Sequence, residues 1–86
     1  MEIVLTAQFE AAYGKLSATD KRSVRKAITL MGSNPRYPGL HVKKMEGHRS
    51  IWEARPSNRL RMTFEMTGDT ITLRNVGGHD KVLKKP

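Results

Sequence analysis

The spacing of apolar residues changes along this chain, and each change marks a different element. Ile3-Val4-Leu5 is an unbroken apolar triplet and reads as a first strand. Phe9, Ala12, Tyr13 and Leu16 then recur at i, i+3, i+4 and i+7, which puts them on one face of a short helix. Thr6 stands where its hydroxyl can accept from the free N–H groups of that helix's first turn, and Gly14 weakens the helix by about 1 kcal/mol relative to Ala. A second helix follows, with Ser17 and Thr19 as alternative caps. Val24, Ala27, Ile28 and Met31 line its apolar face, while Lys21, Arg22, Arg25 and Lys26 lie elsewhere around the cylinder. Gly32-Ser33-Asn34-Pro35 ends it: the glycine suits a left-handed cap, and Pro35 forces the residue before it out of helical geometry.

After a Pro/Gly loop from Arg36 to Leu40 the period becomes two. His41 to Met45 reads as an edge-like strand, Gly47-His48-Arg49 as a turn, and Ile51 to Arg55 as a strand closed by the turn Pro56-Ser57-Asn58. Alternation is cleanest from Leu60 to Thr67. Leu60, Met62, Phe64 and Met66 interleave with Arg61, Thr63, Glu65 and Thr67, so one face is apolar and the other polar. A turn at Thr67-Gly68-Asp69 leads to a last strand from Thr70 to Val76, with Ile71 and Leu73 on the apolar side. Short turns between successive strands predict antiparallel pairing. The expected fold is α+β: two N-terminal helices packed on one face of a small, mainly antiparallel sheet, in a β-α-α-β-β-β order with three or four strands after the helices, and with the other face largely open.

The same alternation predicts what the open face displays. Trp52 and Ala54 fall on the core side with Leu60 and Met62, which leaves Glu53, Arg55, Arg61, Thr72 and Arg74 facing out. Three arginines and a glutamate from three neighbouring strands then share one surface. A guanidinium stays charged at any working pH and binds phosphate through two parallel N–H donors, so this cluster suits a phosphodiester.

Composition narrows the picture. The 86 residues make a single domain, 1–86, carrying 16 Lys+Arg against 8 Asp+Glu, a net charge of +8. A balance this basic points to phosphate, an anionic membrane or an acidic partner. No apolar run approaches the ~20 residues of a membrane span, and no leader pattern precedes the first strand, so a cytoplasmic protein without a membrane partner is expected. The absence of cysteine excludes disulfides and thiolate metal sites, and His41, His48 and His79 are too scattered to form a ligand set; no metal and no cofactor are expected. His79-Asp80 follows Gly77-Gly78, and a histidine there is a candidate acid or base because imidazole's ordinary pKa lies near working pH.

Taken in order, Ile51-Trp52-Glu53-Ala54-Arg55, Leu60-Arg61-Met62-Thr63-Phe64 and Ile71-Thr72-Leu73-Arg74-Asn75-Val76-Gly77-Gly78-His79-Asp80 resemble the C-terminal half of RelE-type toxins. That family runs through a strand with an aromatic and an arginine, a Tyr-Arg-Leu strand, a hairpin, and a strand ending in Gly-x-His. The strand, two helices and Asn34-Pro35 loop of the front half match as well, so the resemblance to the RelE/ParE superfamily spans nearly the whole chain.

The resemblance implies a toxin of a toxin–antitoxin pair, with a cognate antitoxin as partner, that cuts mRNA on the ribosome without a metal. In that chemistry the ribose 2′-OH attacks its own 3′-phosphate, which requires a base, a cation for the phosphorane and an acid for the 5′-oxygen. Arg61 matches the arginine of the family's Tyr-Arg-Leu strand and is assigned to phosphate, with Arg55 sharing that role. His79 matches the C-terminal histidine and is assigned to proton transfer. Glu53 and His48 are the candidates for its partner. Lys43, Lys44, Arg59, Arg74 and Lys81 are expected to follow the RNA backbone. The chain departs from the family in two places: Leu60 stands where Tyr is usual, and Asp80, Lys81, Val82 and Leu83 stand where many of these nucleases have an aromatic. Two other readings stay open, a ParE-like inhibitor of DNA gyrase and a non-catalytic RNA- or ribosome-binding module of the same fold.

Overall fold

The computed structural model describes residues 1–48 and 50–86. Arg49, read above as part of a turn, lies outside the described residues. The chain forms β1 (Glu2–Leu5), α1 (Ala7–Gly14), α2 (Ala18–Ser33), a 3-10 turn (Pro38–Leu40), β2 (Lys43–Lys44), β3 (Trp52–Ala54), β4 (Leu60–Thr67), β5 (Thr70–Gly78) and α3 (His79–Lys84). The five strands make one sheet in the order β1-β5-β4-β3-β2. β1 runs parallel to β5, and each of the other pairs is antiparallel. The mainly antiparallel α+β architecture expected from the pattern is the one observed.

Both expected helix starts carry side-chain caps. The Thr6 hydroxyl accepts from the Phe9 N–H at 3.1 Å and donates to the Leu73 carbonyl at 2.8 Å. One side chain thus caps α1 and ties its start to β5. For α2 the cap is Ser17, whose hydroxyl accepts from the Asp20 N–H at 3.1 Å. Phe9 and Ala12 of α1 and Val24, Ala27 and Met31 of α2 are buried against Ala54, Leu60, Met62, Phe64, Ile71, Leu73 and Val76 of the sheet. Ile28 and Trp52 pack against this core only in part.

Four expectations need correction. First, α2 continues through Gly32, which therefore does not act as a left-handed cap; Asn34 is extended (φ −155°, ψ 101°), the conformation that a following proline favours. Second, the edge strand shrinks to Lys43–Lys44, because the 3-10 turn ends on a left-handed His41 (φ 50°) and the chain joins the ladder only beyond Val42. Third, β3 ends at Ala54, and the Arg55 N–H donates instead to the Leu40 carbonyl at 2.8 Å. Fourth, the second sheet face is not open. β5 runs on to Gly78, and α3 folds back over β4 and β5 with Val82 buried.

Buried Asn75 and Thr63, with half-buried Arg74, hold that return. Asn75 Nδ2 donates to the Lys85 carbonyl at 2.7 Å, and the Thr63 hydroxyl and Arg74 Nε donate to the Pro86 carbonyl at 2.7 and 3.1 Å. A bulge between Thr63 and Phe64 shifts the β4–β5 register. Thr63 pairs with Asn75 and Phe64 with Leu73, so Arg74 stands opposite no residue; it keeps the outward face expected of it, and the extra residue turns Asn75 to that same face.

Candidate functional site

The register of the short edge strands sets the geometry. Glu53 pairs with Lys43 of β2 on one side and Thr63 of β4 on the other, so its side chain is directed to the sheet face that α3 covers. Lys43 Nζ approaches Glu53 Oε1 at 3.7 Å; the lysine side chain is 63% exposed and the glutamate 9%. A carboxylate this dry requires a compensating charge, and Lys43 supplies it. Beside this pair a cleft of about 450 Å³ opens between the β2 edge and α3, lined by Lys43, Lys44, Met45, Glu46, Glu53, His79 and Leu83. His79 is the first residue of α3, and its imidazole is 56% exposed with Nδ1 3.5 Å from Asp80 Oδ1.

Two of the four candidate catalytic residues, Glu53 and His79, therefore line one cleft. Arg61 lies nearby along the fold. It stands opposite Gly77 in the β4–β5 ladder, two residues before His79, and two positions along β4 from Thr63 on the α3 side. Its Nη1 donates to the carbonyls of Asn58 and Leu60 at 3.1 and 3.0 Å, and its Nε is buried without a partner. The guanidinium is thus turned onto the β3–β4 turn, with donor capacity left over.

Arg55 is elsewhere. Because β3 stops at Ala54, alternation no longer governs the next residue, and Arg55 lines a cavity with Ser23, Lys26, Ala27 and Leu30 of α2 on the helix side of the sheet. It does not join Arg61 as expected. His48, the other candidate partner for His79, borders a separate hollow with Lys44, Met45 and Gly47.

The cations expected along an RNA path are dispersed. Lys43 and Lys44 border the cleft. Lys44 also stands over the Trp52 ring at 5.6 Å, with Arg36 at 5.4 Å from the same ring. Arg59 points to the helix side and pairs with Asp20 at 2.8 Å. Arg74 pairs with Glu65 across the bulge. Lys81 faces a hollow between α1 and α3 with Lys15 and Lys85. Sequence reasoning missed the Lys43–Glu53 pair, which the alternation of two neighbouring strands carries, and it missed α3, whose single buried residue Val82 sets no periodic pattern. Among the described residues no group of three or more His, Asp or Glu is placed to hold a metal ion, and no helix is long and apolar enough to cross a membrane.

No family model and no curated protein matches the sequence. Solved structures do. YafQ from E. coli strain BL21(DE3) superposes with a TM-score of 0.78 at 15% identity, over 94% of this chain and 96% of that one. The YoeB/ParE toxin from Agrobacterium tumefaciens gives 0.77 at 15%, over 92% and 99%. The RelB–RelE antitoxin–toxin complex from Methanococcus jannaschii gives 0.74 at 16%, over 96% and 98%. Coverage is nearly complete on both sides, so the whole chain has the fold of the RelE/ParE-type toxins.

Proposed function

On the premise of that shared fold, we propose that this protein is the toxin of a toxin–antitoxin pair and acts as a ribosome-dependent, metal-independent mRNA endoribonuclease in the cytoplasm. The observation that carries the reading is that a buried Glu53 and an exposed His79 line one cleft with two lysines at its edge. Glu53 takes the proton of the ribose 2′-OH, and His79, at the open side of the cleft, gives one to the 5′-oxygen. Lys43 and Lys44 hold the substrate phosphates. Arg61 turns from the Asn58 and Leu60 carbonyls to meet the phosphorane with its unspent donors. Arg55, on the helix side, takes no part in this site. The partner is an acidic antitoxin, which a chain of net charge +8 attracts.

The test is induction in a bacterial host without antitoxin, with pulse labelling of protein synthesis and mapping of mRNA 5′ ends. Translation should stop, and new 5′ ends should appear within coding sequences. Unaffected protein synthesis with collapse of DNA supercoiling would replace this reading with gyrase inhibition, and arrested translation without new 5′ ends would leave a non-catalytic ribosome-binding module.

A further inference from the structure

Arg55 has a setting of its own. The cavity it lines lies between α2 and the 3-10 turn, with Ala27, Leu30, Leu40 and Pro56 as apolar walls and Ser23, Lys26, Arg55 and Tyr37 as its polar and aromatic members. Ala27 and Leu40 are buried, Arg55 is half-buried, and Tyr37 is 43% exposed. Among the described residues, neither Arg55 nor Lys26 has a carboxylate within ion-pair distance, whereas Lys43, Arg59 and Arg74 each have one. Holding a guanidinium partly out of water without a counter-charge costs free energy, so the cavity is complementary to an incoming anion.

Size and lining decide which anion. At about 220 Å³ the cavity falls below the roughly 300 Å³ at which small-molecule pockets begin, and it has room for one large side chain. Its walls of Ala27, Leu30, Leu40 and Pro56 offer no side-chain hydrogen-bonding group to the edge of a nucleobase, which RNA recognition uses, and the Ser23 hydroxyl beside them donates to the Thr19 carbonyl at 3.4 Å. They match an aliphatic or aromatic side chain.

We propose that this cavity is a docking pocket for an acidic, apolar peptide segment of a partner protein. One apolar side chain enters between Leu30 and Leu40 while neighbouring carboxylates pair with Arg55 and Lys26. The inference rests on the proposed function only for the partner's identity as an antitoxin. It adds that the partner seats on the helix side of the sheet and leaves the Glu53–His79 cleft uncovered.

The experiment is calorimetric titration of the full chain with two decapeptides of equal charge, one alternating Glu with Leu and one alternating Glu with Gly, and with a short oligo(A) RNA. The Glu–Leu peptide should bind the parent and outcompete the Glu–Gly peptide. Arg55→Glu should weaken it by about tenfold or more. Lys15→Glu, the same charge change on the far end of α1, should weaken it by less than about threefold at physiological salt. Lys26→Glu, at an exposed position of α2, repeats the test should Arg55→Glu disturb the fold. Equal losses in Arg55→Glu and Lys15→Glu, equal binding of the two peptides, or loss of RNA but not peptide affinity in Arg55→Glu would each overturn the pocket. Because the readout is peptide binding, a parent that does not cut mRNA leaves a positive result standing. A parent that cuts mRNA but binds no Glu–Leu peptide defeats this inference alone.

Discussion

Replacing Arg61 with alanine separates a role in chemistry from a role in folding. The side chain is half-buried on β4, and its folded-state contacts are two hydrogen bonds from Nη1 to the carbonyls of Asn58 and Leu60. Asn58 is exposed, so water replaces the donor to its carbonyl. Each bond is worth about 0.5–1.5 kcal/mol net, and deleting the unpartnered Nε removes a small cost, so the expected loss is about 1 kcal/mol. For a domain of this size that lowers the melting temperature by about 4–8 °C and leaves the protein folded at working temperature. If the guanidinium meets the phosphorane, its removal costs one electrostatic donor, typically about 10²–10³ in rate. The assay pairs thermal melting, followed by circular dichroism, with cleavage of a defined mRNA on purified ribosomes. An Arg61→Ala protein that melts within the expected range yet cuts at the parent's rate would refute the assignment.

His79→Ala should fold like the parent, because the imidazole is 56% exposed and its neighbour is solvated Asp80, while ribosomal cleavage falls by about 10²–10⁴; parental cleavage would remove histidine from the mechanism. Glu53→Gln keeps the side chain's shape, and single-turnover cleavage should fall by a comparable factor at saturating protein, with unchanged rates counting against Glu53 as the base. Trp52→Ala should destabilise the domain by about 2–3 kcal/mol in urea titration, below the ~3–5 kcal/mol of a fully buried aromatic, because the ring is only partly buried and also meets Arg36 and Lys44. RNA affinity measured between low and physiological salt should fall with a log–log slope of about 0.7 per phosphate neutralised, and a flat profile would mean that the basic surface is not the contact.

What was legible in the sequence is what local rules decide. Thr6 and Ser17 cap helices because a hydroxyl at that position has few better partners than the free N–H groups of a first turn, and β4 is legible to the residue because eight positions alternate without interruption. The errors gather where a distant residue takes over. Arg55 was placed beside Arg61 by continuing an alternation that the 3-10 turn ends, since the Leu40 carbonyl captures the Arg55 N–H. Counting along β5 puts Asn75 on the apolar side with Ile71 and Leu73, but the register change at Thr63/Phe64 turns it to the second face beside Arg74. Of the expected site, Glu53 and His79 meet at one cleft because register and the α3 start act together; only the first of these can be read from alternation.

The bulge explains why the site forms at one end of this sheet face. Past Phe64 the ladder pairs Glu65 with Thr72, and Arg74, opposite no residue, reaches both Glu65 and the Pro86 carbonyl. On the near side Thr63, turned to the second face by alternation, and Asn75, turned there by the bulge, are buried and donate to the Pro86 and Lys85 carbonyls. Buried donors of this kind are costly to leave unpaired, so satisfying them fixes the tail over the centre of β4 and β5. That arrangement engages Arg74 and covers the middle of the face. What stays accessible is the margin between the tail's helix and the β2 edge, where the lysines of β2 stand beside Glu53 and the first residue of α3 is His79. Two polar side chains buried for structural reasons thus decide where the cations and the imidazole meet solvent.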